Sequence, residues 1–88
     1  MALVKLISPY SKIAGVNKVV LEAASLKELI GKLIDEYGEG MATLLDDGDI
    51  SPKAIFMINR RSARSLEGIN TRLQEDTEVI IMEYLGWA

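Results

Sequence analysis

The sequence predicts an α+β fold, a mixed sheet of about four strands crossed by one main helix. Three observations predict it. A capping-box tetrapeptide, Ser25-Leu26-Lys27-Glu28, opens a long apolar stripe at helical period. Short apolar or β-branched runs stand on both sides of that stripe, at residues 3–8, 18–22, 54–58 and 77–82. Turn-forming residues punctuate the gaps between them. One amphipathic helix cannot bury its stripe alone, so it must lie across a sheet made from those strands.

Each element has its own warrant. Residues 3–8 (Leu-Val-Lys-Leu-Ile-Ser) read as a strand that stops at Pro9, which cannot continue a hydrogen-bonded ladder. Residues 10–17 contain Ser11, Gly15 and Asn17 and read as a turn, leading to a second strand at residues 18–22 and a hairpin with the first. Leu26, Leu29, Ile30, Leu33, Ile34 and Tyr37 share one helical face, while Lys27, Glu28, Lys32, Asp35 and Glu36 occupy the other. Gly38 suits the left-handed position that ends the helix. Residues 39–53 are a connection, with a short helical turn expected over 41–45 and strong turn signals at Asp46-Asp47-Gly48-Asp49 and Ser51-Pro52. Ala54–Ile58 is a wholly apolar strand. Residues 60–70 are polar, with anchors at Leu66 and Ile69, and residues 77–82 form the last strand. The first and last strands, both apolar, are expected to be central and parallel neighbours. That order of elements is the β-grasp, or ubiquitin-like, architecture, and the chain reads as one such domain over residues 1–88 with a tail at 83–88.

Composition narrows the chemistry. With 88 residues the chain makes one domain, and 49% hydrophobic content fits a folded protein. A net charge of −3 argues against a nucleic-acid binder, which usually carries a basic excess. The chain has no Cys, which removes disulfides, thiolate nucleophiles and thiolate metal sites, and no His, which removes the commonest acid–base group near neutral pH. An independent enzyme is therefore not expected, and neither is a cofactor. No run approaches the roughly 18 apolar residues of a membrane span, and residues 1–9 lack a secretory pattern, so the expected compartment is cytoplasmic, with no membrane partner.

The residues also resemble a family. The opening Val4-Lys5-Leu6, the helix start Ser25-Leu26-Lys27-Glu28-Leu29-Ile30, the pair Ile58-Asn59, and Leu73 followed by Glu75-Asp76-Thr77-Glu78-Val79 are similar, in order and spacing, to the MoaD/ThiS group of ubiquitin-like sulfur carriers in molybdopterin and thiamine synthesis. The resemblance implies a β-grasp fold and a protein partner, either a larger enzyme subunit or an activating enzyme. It also implies a reactive C-terminal Gly-Gly carboxylate, adenylated and then converted to a thiocarboxylate. Here the sequence departs. It ends Glu83-Tyr84-Leu85-Gly86-Trp87-Ala88, with Trp87 and Ala88 at the diglycine positions. A channel fitted to glycine does not admit an indole. Arg60 stands where the family usually has glycine after Asn59.

Two readings of the tail follow. In one, Tyr84, Leu85, Gly86 and Trp87 are contact residues, since aromatic side chains favour interfaces. In the other, trimming after Gly86 leaves a reactive terminus. Phe56, Ile80 and Met82, or their neighbours of opposite strand parity, are expected to form an apolar docking patch on the sheet face away from the helix, because both strands are apolar at both parities. Arg60, Arg61 and Arg64 form a basic cluster, with Lys53 and Arg72 near, read as a solvated loop or as a contact for an acidic partner surface. A calcium loop at residues 46–49 is not expected, since an EF-hand count from Asp46 puts Met57 at the twelfth position, where Glu is needed. The chain is thus expected to be a non-catalytic protein-binding module or the small subunit of a molybdopterin-synthase-like complex. The alternative is a trimmed sulfur carrier.

Overall fold

The computed structural model describes residues 1–84. In chain order the elements are β1 (Ala2–Leu6), α1 (Tyr10–Ala14), β2 (Lys18–Leu21), α2 (Leu26–Tyr37), α3 (Glu39–Ala42), β3 (Leu45–Asp46), β4 (Asp49–Ile50), β5 (Ala54–Ile58), β6 (Arg61–Ser62) and β7 (Glu78–Glu83). Two single 3-10 turns, Ala63–Ser65 and Gly68–Asn70, bridge β6 to the approach of β7.

The main sheet has the order β2-β1-β7-β5-β6. β1 and β7 are parallel and adjacent at its centre, with Val4 opposite Val79 and Leu6 opposite Ile81. The other pairings are antiparallel. The expected central pair of first and last strands is therefore found. The count differs from expectation by one strand. Asn59 and Arg60 both take positive φ, 48° and 70°, and this two-residue turn folds the chain back so that Arg61 lies opposite Ile58 as a short fifth strand. A second turn of the same kind, Asp47 (φ 54°) and Gly48 (φ 82°), joins β3 to β4 in a separate two-stranded ribbon.

α2 has the expected bounds. Its Ser25 hydroxyl accepts from the Glu28 N–H at 3.2 Å. The other half of the capping box is not made, and the Glu28 carboxylate lies 3.8 Å from Lys32 Nζ. Gly38 ends the helix at φ 85°, its N–H donating to the Ile34 carbonyl. Leu26, Leu29, Ile30 and Leu33 are fully buried against Val4, Val79 and Ile81 from the inner sheet face, and Met41 and Leu44 from the connection close the core. Where a plain turn is expected at residues 10–17, α1 forms instead. Buried Tyr10 anchors it to the core and Gly15, at φ 76°, ends it.

Candidate functional site

Strand alternation divides the sheet into two faces. The inner face, under α2, takes Ala2, Val4 and Leu6 from β1, Val79 and Ile81 from β7, and Ala54, Phe56 and Ile58 from β5. Phe56 is 2% exposed and lies opposite Ile81, so its expected place on the outer face is corrected. The opposite parity of β5, Ile55 and Met57, faces outward instead.

The register assembles the outer face row by row. Ile55 lies opposite Met82, Met57 opposite Ile80, and Ile80 opposite Lys5. Ile55, Met57, Ile80 and Met82 thus form an apolar strip across β5 and β7, each half-buried by its neighbours. Among the described residues no element of the chain lies over this strip; the connection of residues 39–53 packs at the core side through Met41 and Leu44. Beyond Met82 the chain continues antiparallel to β5, with the Tyr84 N–H donating to the Lys53 carbonyl at 2.7 Å. Tyr84 is 46% exposed. Leu85, Gly86 and Trp87, also expected to contact a partner, lie outside the described residues.

Charge frames the strip on one side. Lys5 Nζ sits 2.8 Å from the Glu78 carboxylate. The hydrogen bond from Lys5 and its charge, with the charge of Arg60 beyond, hold the Glu78 carboxyl below the ordinary carboxylate range. Lys18 stands opposite Lys5 on β2. On the inner side, burial and then the charge of Glu83 push the Tyr10 hydroxyl above its usual value.

The basic cluster expected at residues 60–64 is dispersed. Arg60 occupies the tip of the β5–β6 turn. Arg61 pairs with Ile58 and so belongs to the helix side of the sheet, where it lines a groove of about 570 Å³ with Leu66, Arg72, Glu75 and Thr77. Arg64 Nη2 donates to the Ser51 carbonyl at 2.9 Å, and Lys53 lies at the far end of β5. Sequence reasoning reached Ile55 and Met57 only as the opposite-parity alternative to Phe56, and it did not name Leu3, which lies opposite Glu78. The signal was present in the Ile80/Met82 parity, which selects odd-numbered residues of β5 once the register is fixed.

The strip is aliphatic and thioether. The described residues contain no grouping of three or more His, Cys, Asp or Glu side chains able to hold a metal ion, and no helix is long and apolar enough to cross a membrane.

A mixed sheet with parallel central first and last strands, gripped on one face by a single main helix, defines a ubiquitin-like β-grasp domain. Solved structures share it over essentially the full chain. Small archaeal modifier protein 1 from Methanosarcina acetivorans superposes with a TM-score of 0.85 at 22% identity, covering 99% of this chain and 95% of its own. A chain of the Amycolatopsis orientalis BexX/CysO complex gives 0.90 at 13% identity with complete coverage of both. Mycobacterium tuberculosis CysO gives 0.88 at 18% identity, covering 97% of this chain and all of its own. At these identities the likeness establishes the fold. No protein-family model and no curated protein matches the sequence.

Proposed function

We propose that this protein is a non-catalytic binding module of the ubiquitin-like sulfur-carrier superfamily, acting as the small member of a complex with a larger protein, in the manner of the MoaD/ThiS group. One observation carries the reading: among the described residues, nothing covers the strip of Ile55, Met57, Ile80 and Met82 on the outer sheet face, which runs toward exposed Tyr84. A partner that covers this strip also receives the chain leaving β7, so Leu85, Gly86 and Trp87 become contacts of the same interface. The structural likeness to a chain of the BexX/CysO complex, in which two proteins are bound together, supports a protein ligand. Arg60, at the tip of the β5–β6 turn, supplies positive charge that orients an acidic partner surface, while Arg61 lies on the helix side, away from the strip. A nucleic acid does not fit an aliphatic strip on a chain of net charge −3.

The test uses the full chain, tagged at its N-terminus, to isolate its larger partner from the native host. Ile80→Asp and Met57→Asp on the outer face abolish capture while thermal melting stays cooperative. Capture unchanged by both substitutions sinks the reading.

A second reading rests on Gly86, which stands just beyond β7 where a carrier tail begins. Trimmed there, the carboxylate could be adenylated by ATP with loss of pyrophosphate, and sulfide delivered by a donor could then displace AMP to give a thiocarboxylate. Intact mass separates the two. A carrier loses Trp87 and Ala88 and then shows a sulfur-for-oxygen shift when an activating enzyme, ATP and a sulfur donor are supplied.

A further inference from the structure

β2 is the outermost strand on one side of the sheet, and among the described residues nothing pairs with its free edge. Its backbone polarity is fixed by β1. The Leu6 N–H donates to the Asn17 carbonyl at 2.9 Å, and the register continues with Val4 opposite Val19 and Ala2 opposite Leu21. Residues 17, 19 and 21 therefore exchange hydrogen bonds with β1, and the N–H and C=O groups of Lys18, Val20 and Glu22 point away from the sheet. The side chains of the same three residues lie on the outer face, where Val20 is 57% exposed. Val19 and Leu21, on the helix side, are half-buried at the sheet margin.

Such an edge is a template for another strand, and natural sheets usually blunt it. Here the order Lys18-Val19-Val20-Leu21-Glu22 is self-complementary. In an antiparallel two-fold pairing centred on Val20, each outward-facing residue meets an outward-facing residue of the second copy. Val20 meets its own counterpart. Lys18 meets Glu22, and Glu22 meets Lys18, so two ion pairs form. On the helix side Val19 meets Leu21, which covers two half-buried apolar side chains. Centring the pairing on Lys18 would set two ammonium groups face to face. Slipping the register by one residue, with Val20 opposite Val19 or Leu21, would aim the free backbone groups at groups already bonded to β1, and centring it on Val19 or Leu21 would set Lys18 or Glu22 against Val20 and form no ion pair. The Glu22 carbonyl also accepts a hydrogen bond from Lys32 Nζ on the helix side, which fixes the end of the strand and leaves the second lone pair available.

We propose that two copies of this chain associate edge to edge through β2, in antiparallel register centred on Val20, joining their five-stranded sheets into one continuous sheet. The occupant is a second copy because this same five-residue segment, reversed, satisfies both charge pairs and the backbone pattern at once. The contact is small, so association is weak and depends on concentration. It lies apart from the Ile55–Met82 strip on β5 and β7, and its failure would leave the binding-module reading standing.

Sedimentation analysis of the full chain over a wide concentration range at low salt tests the proposal. The unaltered protein moves from monomer toward dimer as concentration rises, and Val20→Lys abolishes the shift. Lys18→Glu sets a carboxylate against Glu22 of the other copy and weakens association about tenfold. Lys18→Glu combined with Glu22→Lys restores it, because both pairs are simply reversed. Circular dichroism melts show that each variant is folded. A protein that stays monomeric at every concentration overturns the proposal, as does a dimer that survives Val20→Lys or one that the double reversal fails to rescue.

Discussion

Asn59 and Glu78 hold the β5–β6 turn to the start of β7 through two hydrogen bonds in opposite directions. The Asn59 N–H donates to the Glu78 carbonyl at 2.9 Å, and the Glu78 N–H donates to Asn59 Oδ1, also at 2.9 Å. Asn59 does this from a positive φ of 48°, a conformation that asparagine tolerates better than most residues. Asn59→Ala loses the side-chain acceptor and strains the turn, and should cost about 1–3 kcal/mol in urea unfolding. A loss below about half a kilocalorie would mean that water replaces the bond without penalty.

Arg60, the next residue, sits at φ 70° with a side chain that favours the opposite sign. Arg60→Gly should therefore leave the fold unchanged and stabilise it by roughly 1 kcal/mol, the relief of left-handed strain being partly offset by the freedom glycine adds to the unfolded chain. A lower melting temperature for the glycine variant would show that Arg60 makes compensating contacts.

Leu33 is fully buried in the centre of the α2 stripe. Leu33→Ala should destabilise by about 2–5 kcal/mol. Lys27→Ala, on the exposed side of the same helix, should change stability by no more than about half a kilocalorie. Similar effects at the two positions in chemical denaturation would contradict the placement of the helix.

The ion pair between Lys5 and Glu78 gives stability a dependence on acid. The Glu78 carboxyl is depressed in the folded protein, so its contribution is present above the unfolded carboxylate value and is lost as pH falls through the lower, folded one. Lys5→Met removes the largest cause, and the Glu78 carboxyl carbon should then titrate at higher pH by NMR. Both groups are partly exposed, so the effect should shrink in high salt.

Tyr10 behaves in the opposite sense. Burial and Glu83 raise its hydroxyl, so the folded state favours the neutral phenol. Its contribution is intact below the ordinary tyrosine range and is lost as pH rises through the raised folded value. In ultraviolet titration the Tyr10 phenol should ionise above the ordinary tyrosine range, and Glu83→Gln should bring it down.

Local signals carried most of the fold. The bounds of α2 and β5 follow from residue type and period, because Ser25, Gly38 and the turn residues before Ala54 mark them physically. The fifth strand and α1 were not legible. β6 exists because Arg60 accepts a left-handed conformation that its residue type does not advertise, and α1 because Tyr10 finds a place in a core assembled from distant segments. The same limit governs the candidate site. Ile80 and Met82 could be assigned to a face by alternation, but choosing Ile55 and Met57 over Phe56 required the cross-strand register, a long-range property. The dispersal of Arg60, Arg61 and Arg64 likewise depends on a turn reversing the chain between them.

The central place of β7 has a consequence for biosynthesis. β1 and β5 are both hydrogen-bonded to β7 and not to each other, so a chain lacking residues 78–83 has no continuous sheet, only β1 with β2 and β5 with β6. On the ribosome, the segment that would sit between β1 and β5 is the last of the sheet to emerge. Until Glu83 has cleared the exit tunnel, α2 has no complete surface to cover, and Leu29, Ile30 and Leu33 stay open to chaperones. Folding of this domain should therefore wait for the end of β7 and then proceed in a single step, at the slow pace set by joining segments far apart in the chain.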